Sequence, residues 1–415
     1  MIKNRSIIIV SDYAYYAGGA EKVAIDTARK LSERAGNNVY LFCGVGPICG
    51  ELVASKVNVT VLNVEDYIKR SGLRIESALR GLYDLHVRNA FIDSFGALDP
   101  SNTVVHFHSW FHSLSASVIS AAKNCGFSII ISLHEYSSVC GNAGLYNFAQ
   151  NKICLKTPCS SSCIVCNCDK RSYAQKLYRI VRLDIYRRIL GSKISRVLFV
   201  SETSKFILES TKAFRDLSLN AEMIYDPVTV KPVMDDYHHE CSDYYLFVGR
   251  VSEEKGIALF CEAVIQLNVK GIVVGDGPLF ESLQRRYPQI FFVGRKNPDE
   301  VLNYMKAARA LVFPSVLYET LGLVVLEAMI SCALPCIVSE DVAASEFVQD
   351  GINGLRFATG SKESLMKCLE KCESNSLIKK FSSSVEQEKL YEDFCLEGHV
   401  RRLTGLYDEI KEEDK

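Results

Sequence analysis

The stretch Phe313-Pro-Ser-Val-Leu-Tyr-Glu319-Thr-Leu-Gly-Leu-Val-Val-Leu-Glu327-Ala-Met329 joins the end of one apolar run to the start of another. The first run, 310–313, is short and continuous, as a strand buried on both faces is. The second carries a helical pattern from near Leu321. Between them lies a polar loop holding Glu319, and Glu327 sits about two turns into the helix. A helix of that apolar character gives Glu327 no structural reason to be there. Carboxylates accept hydrogen bonds from sugar hydroxyls, and N–H groups near a helix start suit a phosphate. A capped helix with one carboxylate near its start is the plainer alternative.

Outward from this stretch the same alternation repeats. Apolar runs at 7–10, 39–42, 57–62, 103–107, 128–133, 197–200 and 223–225 are separated by helical patterns such as 21–34 and 113–123. A second series follows at 244–248, 271–274, 290–293, 310–313 and 335–338. Strand then helix, repeated, implies a parallel sheet covered on both faces. The fold class is therefore α/β, with two doubly wound, Rossmann-like domains facing a central cleft. The polar, proline-containing segment 227–243 reads as a linker between a domain at 1–226 and one at 244–388. Residues 389–415 read as a C-terminal helix that packs back on the first domain.

Composition narrows the class. The 48 Lys and Arg against 49 Asp and Glu leave a net charge of −1, which argues against nucleic acid as a partner. No apolar run reaches the ~18 residues of a membrane span. The run 7–10 is shorter than the roughly 7–15 residues of a secretory signal, so a cytoplasmic location is expected.

In open α/β sheets ligands bind beyond the carboxyl ends of strands, and the unusual residues fall there. Gly18-Gly19-Ala20-Glu21 follows the first strand and opens a helix. Arg250 and Lys255 follow the run 244–248 and suit a diphosphate, although an Arg/Lys pair is more often merely solvated. Val274-Gly275-Asp-Gly-Pro is a second tight turn. His106-Phe-His108 and His134-Glu135-Tyr136 end neighbouring strands at the cleft.

These motifs, in this order, resemble the GT-B glycosyltransferases of the large family-4 group of retaining enzymes, over nearly the whole chain. The resemblance implies roles. His108, Arg250, Lys255 and Glu319 would be catalytic, with the two cations neutralising the leaving diphosphate and Glu319 holding donor-sugar hydroxyls. Gly18, Gly19, Gly275, Thr320, Leu321 and Gly322 would meet the donor, Glu327 its ribose, and Arg295 its base. His134 and Glu135 would lie on the acceptor side. The implied partners are a nucleoside diphosphate sugar and a lipid-linked saccharide of surface polysaccharide synthesis, with no cofactor required for catalysis. A non-catalytic sugar-nucleotide-binding scaffold and a transferase for a soluble acceptor are the rival readings. Ala333 and Ala343-Ala344 stand where the family usually has glycine, and their methyl groups are expected to narrow the donor pocket.

Six of the sixteen cysteines fall within 140–168. Cys154, Cys159, Cys163 and Cys166 have short spacings that suit a tetrahedral structural zinc, with reduced thiols and disulfides as the other readings. Residues 170–196 then hold nine Lys or Arg and one Asp, interleaved with tyrosine, leucine and isoleucine. Such a helix either lies on the anionic inner leaflet or is solvated with one face packed.

Overall fold

The structure, a computed structural model, describes residues 5–64, 66–67, 75–191, 194–232 and 243–413. Most of the sequence-predicted linker, 233–242, lies outside the described residues. Nine strands fall in the first half: β1 Arg5–Tyr13, β2 Asn37–Val45, β3 Asn58–Val61, β4 Thr103–Phe107, β5 Ser128–Leu133, β6 Tyr146–Asn147, β7 Lys152–Ile153, β8 Arg196–Phe199 and β9 Ala221–Met223. Seven make a parallel sheet in the order β3-β2-β1-β4-β5-β8-β9, while β6 and β7 form a small antiparallel pair in the cysteine-rich insertion. The second half contributes β10 Tyr244–Val248, β11 Lys270–Val274, β12 Phe291–Gly294, β13 Ala310–Phe313, β14 Cys336–Ser339 and β15 Gly354–Phe357. These form a parallel sheet in the order β12-β11-β10-β13-β14-β15.

Both sheets are covered on two faces, which is why their central strands are apolar throughout. Ile7, Ile8, Ile9 and Val10 of β1 are all fully buried, and each such side chain contributes about 1.5–3 kcal/mol relative to exposure. Both sheets reverse strand order beside their first strand, so each has its switch point at the carboxyl end of the central strands.

The end of the chain returns to the first domain. Val400, Leu403, Leu406, Tyr407 and Ile410 of the helix Leu396–Glu413 bury against Ile7, Ile9, Ala24 and Ile25. Arg196 holds the same helix through Glu413 at 2.7 Å. The first linker residues are packed as well: Val228 bridges Cys395 and shares an apolar cluster with Leu321, Leu326, Ile330 and Phe394.

Candidate active site

A cleft of about 1080 Å³ opens between the two sheets at the carboxyl ends of their strands. Of the sequence-predicted residues, Gly19, His134, Arg250, Lys255, Arg295, Glu319, Thr320, Leu321, Gly322 and Glu327 line it. Gly18, His108, Glu135 and Gly275 do not.

The positioning of Lys255 begins with a glycine. A short turn, Glu253–Lys255, follows β10 and ends at Gly256, whose φ is +67°. A Cβ there would lie 1.9 Å from the Pro314 carbonyl oxygen, so only glycine lets this turn approach the loop after β13. That approach pairs the Lys255 ammonium with the Glu319 carboxylate, which also accepts from Ser315 Oγ at 2.7 Å. Arg250 is exposed into the same cleft.

Glu319 precedes the helix Leu323–Cys332, and Glu327 lies just over one turn inside it. The helix begins two residues later than its apolar pattern, because Gly322 at φ +83° turns the chain first. No side chain caps its start, so N–H groups of the first turn face the cleft end of the loop with the positive end of the helix dipole. Thr320 Oγ1 donates to the His134 carbonyl of the other domain at 2.9 Å. Arg295 Nη2 donates to the Tyr16 carbonyl, again across the cleft, at 3.1 Å.

Gly275 has a structural reason that the ligand reading missed. At φ +139° its missing Cβ would fall 1.9 Å from the Gly249 carbonyl oxygen, so the glycine packs the turn after β11 against the turn after β10. Gly18 is extended backbone opening the helix Gly19–Ser32, and Gly19 is the member of the pair that reaches the cleft.

His108 lies behind the cleft wall. Its Nδ1 is 2.9 Å from His134 Nε2, and the two rings are stacked. His134 Nδ1 is 2.9 Å from Asp226 Oδ2. Burial, with the neighbouring His106, His134 and His399, holds His108 well below the usual histidine range. Burial also opposes charge on His134, but Asp226 with Glu21 and Glu135 outweighs it and raises that group. Glu135 stays behind the wall and is raised chiefly by burial.

Lys22 and Asp226 are among the cleft residues that escaped sequence reasoning. Lys22 follows the Gly-Gly-Ala-Glu motif directly and pairs with Glu327 at 2.5 Å, across the domains. Its place in the first turn of that helix was the available signal. Asp226 ends the last strand-like segment of the first domain, where an acidic residue at a strand's carboxyl end was the signal.

The comparisons with known proteins fit this geometry. Residues 242–375 match the family described as glycosyl transferases group 1. An uncharacterized glycosyltransferase of Methanocaldococcus jannaschii is 24% identical over 360 residues, covering 83% of this chain and 96% of that protein. The O-antigen chain mannosyltransferase C of Escherichia coli is 24% identical over 177 residues, 41% of this chain and 47% of its own length. Sucrose-phosphate synthase from Thermosynechococcus elongatus superposes with a TM-score of 0.70 at 18% identity, covering 98% of this chain and 99% of that one. Anabaena HepE, solved with UDP and glucose, superposes at 0.66 and 16% identity, covering 98% and 100%.

The chain has the GT-B fold, and its second half matches a glycosyltransferase family.

One expectation changes with the structure. The methyl groups of Ala333, Ala343 and Ala344 do not line the cleft. Ala333 caps the far end of the helix Leu323–Cys332 in the left-handed region, at φ 44°, which is where glycine is favoured. Ala344 packs instead against the Gly322 turn, 2.9 Å from where a Cβ on that glycine would be.

The cysteines of the insertion lie as follows. Among the described residues, no group of three or more His, Cys, Asp or Glu is placed to hold a metal. Cys140, Cys154, Cys159, Cys163 and Cys168 line one small crevice, whereas Cys166 accepts from Asn147 Nδ2 at 3.5 Å.

In the basic helix several cations have protein partners. In Tyr173–Leu190, Lys176 is buried and donates to the carbonyls of Cys163, Ile164 and Cys166. Arg179 pairs with Asp169 at 3.1 Å, and Arg182 is buried against Phe111. The helix exposes Tyr173, Leu177 and Val181, spaced four residues apart, together with Asp184 and Arg188.

Proposed function

We propose that this chain transfers a sugar from a nucleoside diphosphate sugar to a hydroxyl acceptor with retention at the sugar carbon, as family-4 enzymes do. The observation that carries the reading is the convergence on one cleft of Arg250, Lys255 and Lys22 with Glu319 and Glu327. Charge that develops on a departing diphosphate meets Arg250, Lys255 and the uncapped helix start. Glu319 accepts from donor-sugar hydroxyls and Glu327 from the ribose, each exchanging its lysine partner for the ligand. HepE was solved with UDP and glucose, which makes UDP-glucose the first donor to test.

Retention by same-face attack of the acceptor is favoured over a covalent glycosyl-enzyme. Of the first domain's cleft-lining carboxylates, Asp226 is buried with Oδ2 on His134, Asp26 accepts from the Tyr16 hydroxyl at 3.0 Å, and Glu51 is exposed. The enzyme's contribution is then positioning and charge stabilisation. The proposed acceptor is a lipid-linked saccharide of surface polysaccharide. Support comes from the O-antigen relative and from the exposed Tyr173, Leu177 and Val181, which give the first domain an apolar strip for a membrane face. No helix among the described residues is long and apolar enough to cross a membrane, so contact would be peripheral.

The test is release of nucleoside diphosphate from sugar nucleotides in the presence of membrane extracts, wild type beside Glu319→Ala. Turnover abolished in a folded variant supports the assignment, and near-normal turnover removes it. Sedimentation with anionic liposomes, lost in a Tyr173→Ser, Leu177→Ser, Val181→Ser variant, tests the acceptor side; no sedimentation of the wild type favours a soluble acceptor.

A further inference from the structure

The buried row Asp226, His134, His108 has a feature the proposed transfer does not use. Asp226 Oδ2, His134 Nδ1, His134 Nε2 and His108 Nδ1 are linked by two contacts of 2.9 Å each, and the far nitrogen, His108 Nε2, is buried with no hydrogen-bond partner among the described residues. His106 lies beside His108 with ring centroids 4.3 Å apart and the rings tilted by 34°, and its own nitrogens meet the Tyr407 hydroxyl at 2.7 Å and the Ser132 hydroxyl at 2.8 Å. Hydroxyls adapt to either tautomer, so His106 imposes none.

We propose that Asp226 and His134 are positioning residues that decide which nitrogen of His108 carries its proton, and so whether Nε2 accepts or donates a hydrogen bond. The Asp226 carboxylate accepts, which places a proton on His134 Nδ1. One proton must bridge His134 Nε2 and His108 Nδ1. When His134 holds only its Nδ1 proton, the bridging proton belongs to His108, and His108 Nε2 is a bare acceptor. When His134 takes one more proton from solvent, it becomes the bridge donor, and the single proton of neutral His108 moves to Nε2. One proton is gained overall, and no other bond changes.

The groups that face the pair are known. Asp226, Glu21 and Glu135 favour the extra proton on His134, while His106 and His399 disfavour charge on His108. Burial and those neighbours keep His108 neutral, so it responds to His134 by changing tautomer rather than by titrating. The relay stands on the two 2.9 Å contacts and the buried Nε2; its consequence for turnover rests on the catalytic role that the family resemblance implies for His108.

The experiment is long-range proton–nitrogen NMR of histidine-labelled, full-length protein from pH 6 to 9, with His108 identified by its loss in His108→Asn. The expected result is a neutral His108 that passes from Nδ1–H at high pH to Nε2–H at low pH, at the midpoint where His134 titrates. In Asp226→Ala that midpoint moves at least about one pH unit lower, because the carboxylate that favours the charge is gone. One unchanged tautomer across the range in wild type overturns the proposal without any variant, and so does an unmoved midpoint in Asp226→Ala. The transfer kcat falls about tenfold on the acid side of the same midpoint, as expected for one hydrogen bond inverted at a buried site. A tautomer switch seen with a flat kcat profile keeps the relay and removes the assigned role of His108.

Discussion

Lys22 of the first domain and Glu327 of the second form an ion pair at 2.5 Å, with side chains 29% and 20% exposed. A pair this open to solvent contributes at most about 1 kcal/mol, so it cannot lock the cleft. It marks instead where a ligand enters: a ribose that takes Glu327 displaces a weak partner. Glu327→Ala is therefore expected to weaken nucleoside diphosphate binding about tenfold or more, while Lys22→Met does not weaken it. Titration calorimetry on both variants checks this, and wild-type affinity in Glu327→Ala would remove the ribose assignment.

Two substitutions of opposite sign test the backbone of the site. Gly256→Ala places a methyl 1.9 Å from the Pro314 carbonyl at φ +67°. It should destabilise the fold by about 2 kcal/mol or more and displace Lys255. Ala333→Gly relieves a left-handed alanine at φ 44° and should stabilise by about 0.5–1 kcal/mol. Urea unfolding measures both; a neutral Gly256→Ala would contradict the close approach.

Acid should weaken the protein through His399. Burial pushes this group down to about 4, outweighing the favourable pull of Asp226. A depressed group contributes stability above its unfolded value, near 6.5, and loses it as pH falls toward the folded value. Between pH 7 and pH 5 the loss is about 2 kcal/mol. His134, a raised group, works the other way: its contribution is full below about 6.5 and is lost as pH rises through its folded value. His399→Asn should therefore flatten the acid limb by about 2 kcal/mol in denaturant titrations, and an equally steep limb would sink the assignment.

Metal removal should leave the protein's stability unchanged, since among the described residues no three His, Cys, Asp or Glu are placed to hold a metal. The melting temperature with and without a strong chelator is the measurement. One tightly held zinc per chain, with a lower melting temperature after its removal, would show that the thiols rearrange around a metal.

Much of this was legible in the chain itself. The runs at 7–10, 128–133 and 310–313 became β1, β5 and β13 because strands buried on both faces are continuously apolar. The last strand, Gly354–Phe357, was missed: it is short, begins with glycine and carries an exposed Arg356. Lys255 and Glu319 were read as site residues from local pattern, but their pairing depends on Gly256 meeting Pro314. Lys22 and Glu327 are 305 residues apart, and no local signal joins them. The basic helix misled because charge pattern does not say which side chains find partners. Lys176 meets carbonyls of the insertion, and Arg182 meets the Phe111 carbonyl 71 residues away.

The central claim is that the cleft binds the diphosphate of a sugar nucleotide through Lys255 and its neighbours. Thermal stability of wild type and Lys255→Ala against UDP, GDP, ADP and CDP tests it most directly, because a ligand that binds only the folded state raises apparent stability by mass action. At a hundred times its dissociation constant, one nucleotide should stabilise the wild type by about 3 kcal/mol, and most of that gain should vanish in Lys255→Ala. Stabilisation by none of the four, or an undiminished gain in the variant, would contradict the account.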